Sequence, residues 1–185
     1  STFTRQDLAR FVDRQTVDAE QFTAVMVRVE ACPELVALGK DGHGRERFST
    51  RAMIGVEQRL EEASLAMGQS QGHAVPLAVR RAAMQHSGLG DEQALAVGEV
   101  TKSRDLSVVV GYAGTGKSTM LGVARAAWEE AGYRVRGAAL SGIAAEGLEA
   151  GSGIESRTLA SLERAWGRGF DLLERGDVLV VDEAG

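Results

Sequence analysis

A single cysteine, Cys32, leaves no partner for an internal disulfide and too few thiolates for a cysteine-rich zinc site. Histidine is nearly as sparse. His43, His73 and His86 show no H-x-H or H-x-x-x-H spacing and read as surface or loop residues, not metal ligands. Proline occurs only at Pro33 and Pro76, and aromatics make up 5% of the chain, which argues against a Pro-rich linker or a disordered tract. No apolar run approaches the roughly 18 residues that a membrane-spanning helix requires. The polar N-terminus, STFTRQDLARF, lacks the apolar core of a signal peptide, so a cytoplasmic location is expected. The net charge of −5 gives no global basic field pointing to nucleic acid, although a local basic groove could still grip a single strand.

What is abundant is glycine, at 23 of 185 residues, within an ordinary soluble composition of 44% hydrophobic and 25% charged residues. That length accommodates one domain, or one domain with a small companion. The chain begins without Met and reads like the middle of a longer protein.

Along the chain, Thr4 with Asp7 has the shape of a capping box, and Asp18 with Gln21 marks a second helix start whose Phe22, Val25, Met26 and Val29 recur at helical spacing. LVAL and RERFS flank a glycine-rich GKDGHG turn and predict a β-hairpin. Ser49 or Thr50 then caps a long helix with Met53, Val56, Leu60, Ala63 and Met67 on one face. Helix, helix, hairpin, helix is the order of a small, mostly helical, winged-helix-like module over residues 1–75. Residues 68–74, GQSQGHA, read as a linker.

Beyond Pro76, two helices (to about Gln85 and over 91–102) precede SVVVG at 107–111, an all-apolar run expected as a strand buried on both faces. A helix over 118–131 should turn Leu121, Val123, Ala124, Ala127 and Trp128 inward. RVRGAAL, short helices near 143–149 and 157–166, and DVLVVDEAG follow. Strand–helix–strand alternation predicts an α/β unit with a parallel sheet over 76–185.

Two motifs carry chemistry. Gly111 to Ser118, GYAGTGKS, fits G-x-x-x-x-G-K-[ST], a phosphate-binding loop for a nucleoside triphosphate such as ATP. Gly111, Ala113, Gly114, Thr115, Gly116 and Thr119 would cradle the phosphates. Lys117 would reach the β- and γ-phosphates, and the Ser118 hydroxyl would join the Mg²⁺ shell. The second motif is Asp182–Glu183 after the apolar run Val178–Val181, 65 residues beyond Lys117. Asp182 is a candidate Mg²⁺ holder and Glu183 a candidate general base polarising the attacking water. Gln93, some 20 residues ahead of the loop, could read the two-sided edge of adenine. Tyr112 reads as a packing or lining residue, and Trp128 and Trp166 as core rather than base-stacking platforms.

LGDEQALAV, VVVGYAGTGKST, ALSGIAAEGLEAGSGIESRTLASL and VLVVDEAG stand in the order of the Q motif and motifs I, Ia and II of RecD-like superfamily 1B helicases. The chain resembles the TraA-type (MobF class) conjugative relaxase–helicases, and the upstream FTRQDLARFVDRQT…RERFSTRAMIGVEQRL resembles the segment joining their nicking and helicase domains. The resemblance implies a partial RecA-like P-loop motor after the small module, with ATP and Mg²⁺ as cofactors and 5′ to 3′ movement on single-stranded DNA. It also implies relaxosome proteins as partners. It places Gln93 at adenine, and Ser141, Gly142 and Ala144 against the strand, although Ile143 stands where that motif usually has lysine. With only Tyr112 and Tyr133 available and no histidine cluster, the chain is not expected to nick DNA. Because it stops two residues after Glu183, weak nucleotide binding and little turnover are expected. The alternatives are a DNA- or protein-binding module in residues 1–75 carrying an incomplete NTPase half, or another P-loop NTPase.

Overall fold

The computed structural model describes residues 2–112 and 114–182. The chain divides into two compact units, with the division between Leu65 and Ala66 inside the third helix. Residues 66–75 therefore belong with the second unit, ahead of the 75/76 boundary suggested by the polar stretch.

The first unit runs β1 (Phe3–Thr4), α1 (Arg5–Asp13), α2 (Ala19–Glu30), β2 (Leu35–Lys40), β3 (Glu46–Thr50) and into α3 (Arg51–Gln69). The capping box forms: Thr4 Oγ1 accepts from the Asp7 N–H at 3.2 Å, and the Asp7 carboxylate accepts from the Thr4 N–H at 2.9 Å. The Thr4 hydroxyl, donating to the Asp7 carboxylate at 2.7 Å, and then the Thr4 N–H hold that carboxyl below its ordinary range. Asp18 caps α2 in the same way, accepting from the Gln21 N–H at 2.8 Å. β3 lies centrally in an antiparallel sheet of order β1-β3-β2, where Phe3 stacks on Phe48. Val12 and Met26 are the buried apolar side chains on the two helices.

Thr50, of the two candidates, caps α3, accepting from the Met53 N–H at 3.2 Å. The expected apolar face of α3 is present in register but is not buried. No residue of α3 is buried, and Val56, Leu60 and Met67 are exposed. Periodicity defines a stripe, but only a partner surface buries one.

The second unit continues with α4 (Leu77–Met84), α5 (Asp91–Val100), α6 (Lys117–Glu130), β4 (Arg134–Ala139), α7 (Gly142–Ser152), β5 (Ser156–Thr158), α8 (Leu159–Trp166) and β6 (Asp177–Asp182). The last three strands form a parallel sheet of order β5-β4-β6, which makes the unit α/β as anticipated. Its core gathers Val75, Val97, Met120, Ala124, Ala127, Trp128, Val135 and Ile154. α6 thus turns Ala124, Ala127 and Trp128 inward as expected, joined by Met120, while Leu121 and Val123 pack only at the margin.

Arg136 is buried within β4 and is fully engaged, its Nη1–H donating to the Asp171 carbonyl at 3.0 Å and its Nη2–H to the Asp171 carboxylate at 2.5 Å. Arg157 and the Trp166 indole N–H converge on the same residue, which adopts φ 54° in the left-handed region. A buried guanidinium needs such satisfaction, and Asp171 supplies it from the α8–β6 connection.

One expectation fails here. SVVVG at 107–111 forms no strand, and Val108 and Val110 are 79% and 93% exposed. An all-apolar strand is stable inside a parallel sheet only with neighbours on both sides. Among the described residues, β6 pairs with β4 alone, and no ladder takes up 107–111.

Candidate functional site

The phosphate-loop motif leads directly into α6, with Gly116 as N-cap in the left-handed region at φ 75°. Gly114 takes φ 81°, so both inner glycines occupy a conformation that L side chains rarely adopt. A Cβ at Gly116 would also lie 2.2 Å from Nε2 at the movable end of Gln93. Gly116→Ala should therefore cost at least about 1 kcal/mol from backbone strain alone. It should also displace Gln93, and urea unfolding of the variant would read the combined loss.

Lys117 folds back over the loop, donating from Nζ to the carbonyls of Gly111 at 2.7 Å and Tyr112 at 3.1 Å. Thr115 Oγ1 donates to the same Tyr112 carbonyl at 2.8 Å, closing a tight turn. The ammonium is held at the mouth of the loop by weak neutral acceptors that a phosphate oxygen could replace. Tyr112 itself is 89% exposed, so of the two roles read for it, packing is not the one it takes. Its carbonyl, rather than its ring, organises the loop. Ala113 lies outside the described residues.

Gln93 sits on the first turn of α5 and is tied to the loop. Its Nε2 donates to the carbonyls of Thr115 at 3.0 Å and Gly116 at 3.4 Å, while Oε1 accepts from the Gly90 N–H at 3.0 Å. The carboxamide therefore bridges the start of α5 to the phosphate loop, a contact across 22 residues that spacing could not reveal. Gln93→Glu would set a carboxylate against two carbonyls. It should lower stability by about 1–2 kcal/mol, more than Gln93→Ala does, as measured by thermal melting. Equal losses from the two variants would show that the bridge does not form in solution.

Ser118, in the first turn of α6, lies against α7: a Cβ on Gly151 would approach its Cβ to 2.6 Å and its Oγ to 3.0 Å. The helices draw close through Gly122, whose Cβ would meet the Ser152 carbonyl at 3.3 Å, and Arg125 Nη1–H donates to the Gly153 carbonyl at 3.0 Å. Thr119 follows within α6.

Asp182 is positioned independently, by the β4–β6 ladder. Its register partner is Ala139, and β4 leads from that end through Leu140 to Ser141 and α7. At the other end of the ladder, Arg134 clamps Asp177 through Nε at 2.9 Å and Nη2 at 2.8 Å, which keeps the Asp177 carboxyl below its usual range. Glu183 lies outside the described residues.

Of the proposed strand contacts, Ser141 is the N-cap of α7, accepting from the Ala144 N–H at 3.2 Å. Gly142 opens the helix with free space around its Cα. Leu140 and Ile143 flank them and are exposed. Thr158 caps α8 by the same device, accepting from the Ser161 N–H at 3.2 Å. The strand ends of β4 and β5 therefore both pass into capped helix N-termini.

No group of three or more His, Cys, Asp or Glu residues could hold a metal ion among the described residues. Those residues thus build no dedicated protein cage. The Ser118 hydroxyl and the Asp182 carboxylate are each oxygen donors of the kind Mg²⁺ takes together with phosphate and water. The left-handed turns at Gly114 and Gly116 and the ammonium at the loop mouth suit a triphosphate.

These features define a phosphate-loop α/β unit, and a family comparison agrees: residues 88–185, more than half of the chain, match an AAA domain, and the chain belongs to that family. Over its whole length the chain is also similar to the conjugal transfer protein TraA of Agrobacterium fabrum, at 42% identity, and of Rhizobium radiobacter, at 39%. The probable conjugal transfer protein TraA of Sinorhizobium fredii is 37% identical. The chain spans about 18% of the length of each of these relatives.

Proposed function

We propose that this chain is the ATP-binding part of a conjugative relaxase–helicase, a motor that unwinds plasmid DNA 5′ to 3′ for transfer. The observation that carries the reading is the loop: Gly114 and Gly116 at left-handed φ, Lys117 Nζ at its mouth, and α6 springing from Gly116. The N-terminal end of α6 favours negative charge, and the loop's N–H groups have no helical carbonyl to bond.

In this reading Lys117 neutralises the β- and γ-phosphates, and Ser118 and Asp182 hold Mg²⁺, which supplies charge neutralisation when bound. Glu183 takes a proton from the attacking water. Gln93 keeps the loop shaped, and it would contact an adenine edge by exchanging its bonds to Gly90, Thr115 and Gly116. Ser141, Gly142 and Ala144 face single-stranded DNA, with relaxosome proteins as partners of the whole protein and the cytoplasm as its location. No helix among the described residues is long and apolar enough to cross a membrane.

The rival reading makes residues 1–75 a DNA-binding module. Exposed Arg5 and Arg10 on α1, with Arg14 at its C-cap, favour it, since phosphate contacts need clustered Lys or Arg. Against it, Arg5 is paired with Glu30 at 2.6 Å, and α2 exposes Glu20 and Glu30 beside Arg28.

The test is fluorescence anisotropy of a labelled single-stranded oligonucleotide, titrated with the chain in Mg²⁺, with and without a non-hydrolysable ATP analogue. Binding that depends on the analogue supports the motor. Salt-sensitive duplex binding indifferent to the analogue would transfer the function to the first unit.

A further inference from the structure

The polar stretch that reads as a linker is bound down in the structure. The Val75 N–H donates to the Thr101 carbonyl at 3.1 Å, the Gly72 N–H to the Ser103 carbonyl at 3.1 Å, and the Asp105 N–H to the Ser70 carbonyl at 3.3 Å. Gln71 bridges Arg104 in antiparallel sense. Residues 70–75 thus form a strap along the segment that leaves α5. At its centre, the imidazole of His73 is inserted between two other elements. Its Nδ1 lies 2.7 Å from Asp105 Oδ1, and its Nε2 lies 2.9 Å from the carbonyl oxygen of Arg175, in the turn before β6.

Both partners are acceptors. A neutral imidazole carries one N–H, so in either tautomer one ring nitrogen would aim its lone pair at an oxygen lone pair. Only the imidazolium satisfies both contacts. We propose that His73 is a proton-operated latch: as the cation it pins the 70–75 strap to the exit of α5 and to the turn before β6, and loss of the proton frees the strap.

The groups around the ring set the balance. The Asp105 carboxylate favours the cation, and it is itself fixed by the Gly72 N–H at 3.0 Å. The Arg175 guanidinium opposes the cation, while the Tyr133 ring packs at 5.5 Å and its hydroxyl donates to the Ala74 carbonyl at 3.5 Å. The net result is a His73 pKa above the ordinary value, chiefly through the Asp105 hydrogen bond and then the Arg175 carbonyl, against partial desolvation. Asp105 is held low by Ser70 and His73.

The sign follows from these directions. Because His73 is raised on folding, its contribution is complete below about pH 6.5 and disappears as pH rises through the folded value. Because Asp105 is lowered, its share is lost only in acid, as pH falls through its own folded value.

The latch has a route into the core. Val75, two residues on, is 2% exposed and packs in the cluster with Val97 of α5 and Met120 and Ala124 of α6. A strap released at His73 loosens the anchorage of Val75, and with it the wall of α6, the helix that begins at Lys117.

The decisive experiment needs no nucleotide, so its outcome is independent of the proposed ATP site. Long-range ¹H–¹⁵N spectra of the 185-residue chain between about pH 5 and 9 should show His73 doubly protonated at about pH 6.5. Its midpoint should lie above that value. Amide exchange at Gly72 and Val75 should rise with loss of that proton by more than the base-catalysed tenfold per pH unit. In His73→Gln the excess should vanish, and the fall in melting temperature between about pH 6.5 and 8.5 should flatten relative to the parent. A His73 midpoint at or below about 6.5, or identical pH dependence in parent and variant, would overturn the latch. Should the variant fail to fold, the titration of the parent chain still decides.

Discussion

Lys117→Ala should weaken binding of a non-hydrolysable ATP analogue by about ten- to a hundredfold, because a charge-assisted hydrogen bond is worth about 1.5–3 kcal/mol and each 1.4 kcal/mol is tenfold. Within the loop Nζ donates to two neutral carbonyls, those of Gly111 and Tyr112. Exchanging them for phosphate oxygens is a net gain, and alanine forfeits it. The protein itself should lose little stability, since the side chain is only part-buried at the loop mouth. Lys117→Arg should not restore affinity, as a planar fork cannot enter the turn that a single ammonium fills. Isothermal titration calorimetry in Mg²⁺ measures all three proteins. Superimposable curves for parent and Lys117→Ala would remove the triphosphate site.

Trp128→Ala should have the largest effect on folding, a loss of about 3–5 kcal/mol. The indole is 5% exposed and closes the cluster of Ala124, Ala127 and Val135 beneath β4. Small neighbours cannot collapse into the space it leaves, so the cavity term adds to the lost transfer energy. Against a typical stability of about 5–15 kcal/mol, that loss is a large fraction of what keeps the second unit folded. Melting should fall by roughly 10 °C or more. A loss below about 1 kcal/mol would take Trp128 out of the core. Its burial also excludes the ring as a platform for stacked bases, and the Trp166 N–H is committed to the Asp171 carbonyl.

The relation between these two residues shows what local chemistry can say. Lys117 belongs to a pattern whose meaning is set by backbone geometry within eight residues. Trp128 belongs to a helical stripe, and its depth was inferable from Ala124 and Ala127 on the same face. The helix starts at Thr4 and Asp18 were legible for the same reason, because a cap is made by side chains three residues from the N–H groups they satisfy. β5 was not legible. Three residues, Ser156–Thr158, carry no periodicity and become a strand only because β4 offers a ladder.

Thus the amino-acid sequence alone determined the glycine turn that leads into α6, the register of the helices, the strand that ends at Asp182 and the α/β order of the second unit. All of these follow from residues close together in the chain. The tertiary structure decided the rest. It left Val108 and Val110 exposed, and it gave the apolar stripe of α3 no burial. It also turned Gln93 onto the loop and seated His73 between Asp105 and the Arg175 carbonyl. Each of those outcomes depends on which surface or acceptor meets the residue across a long stretch of chain. Hydrophobic burial and paired hydrogen bonds are properties of both partners, and only the folded chain brings them together.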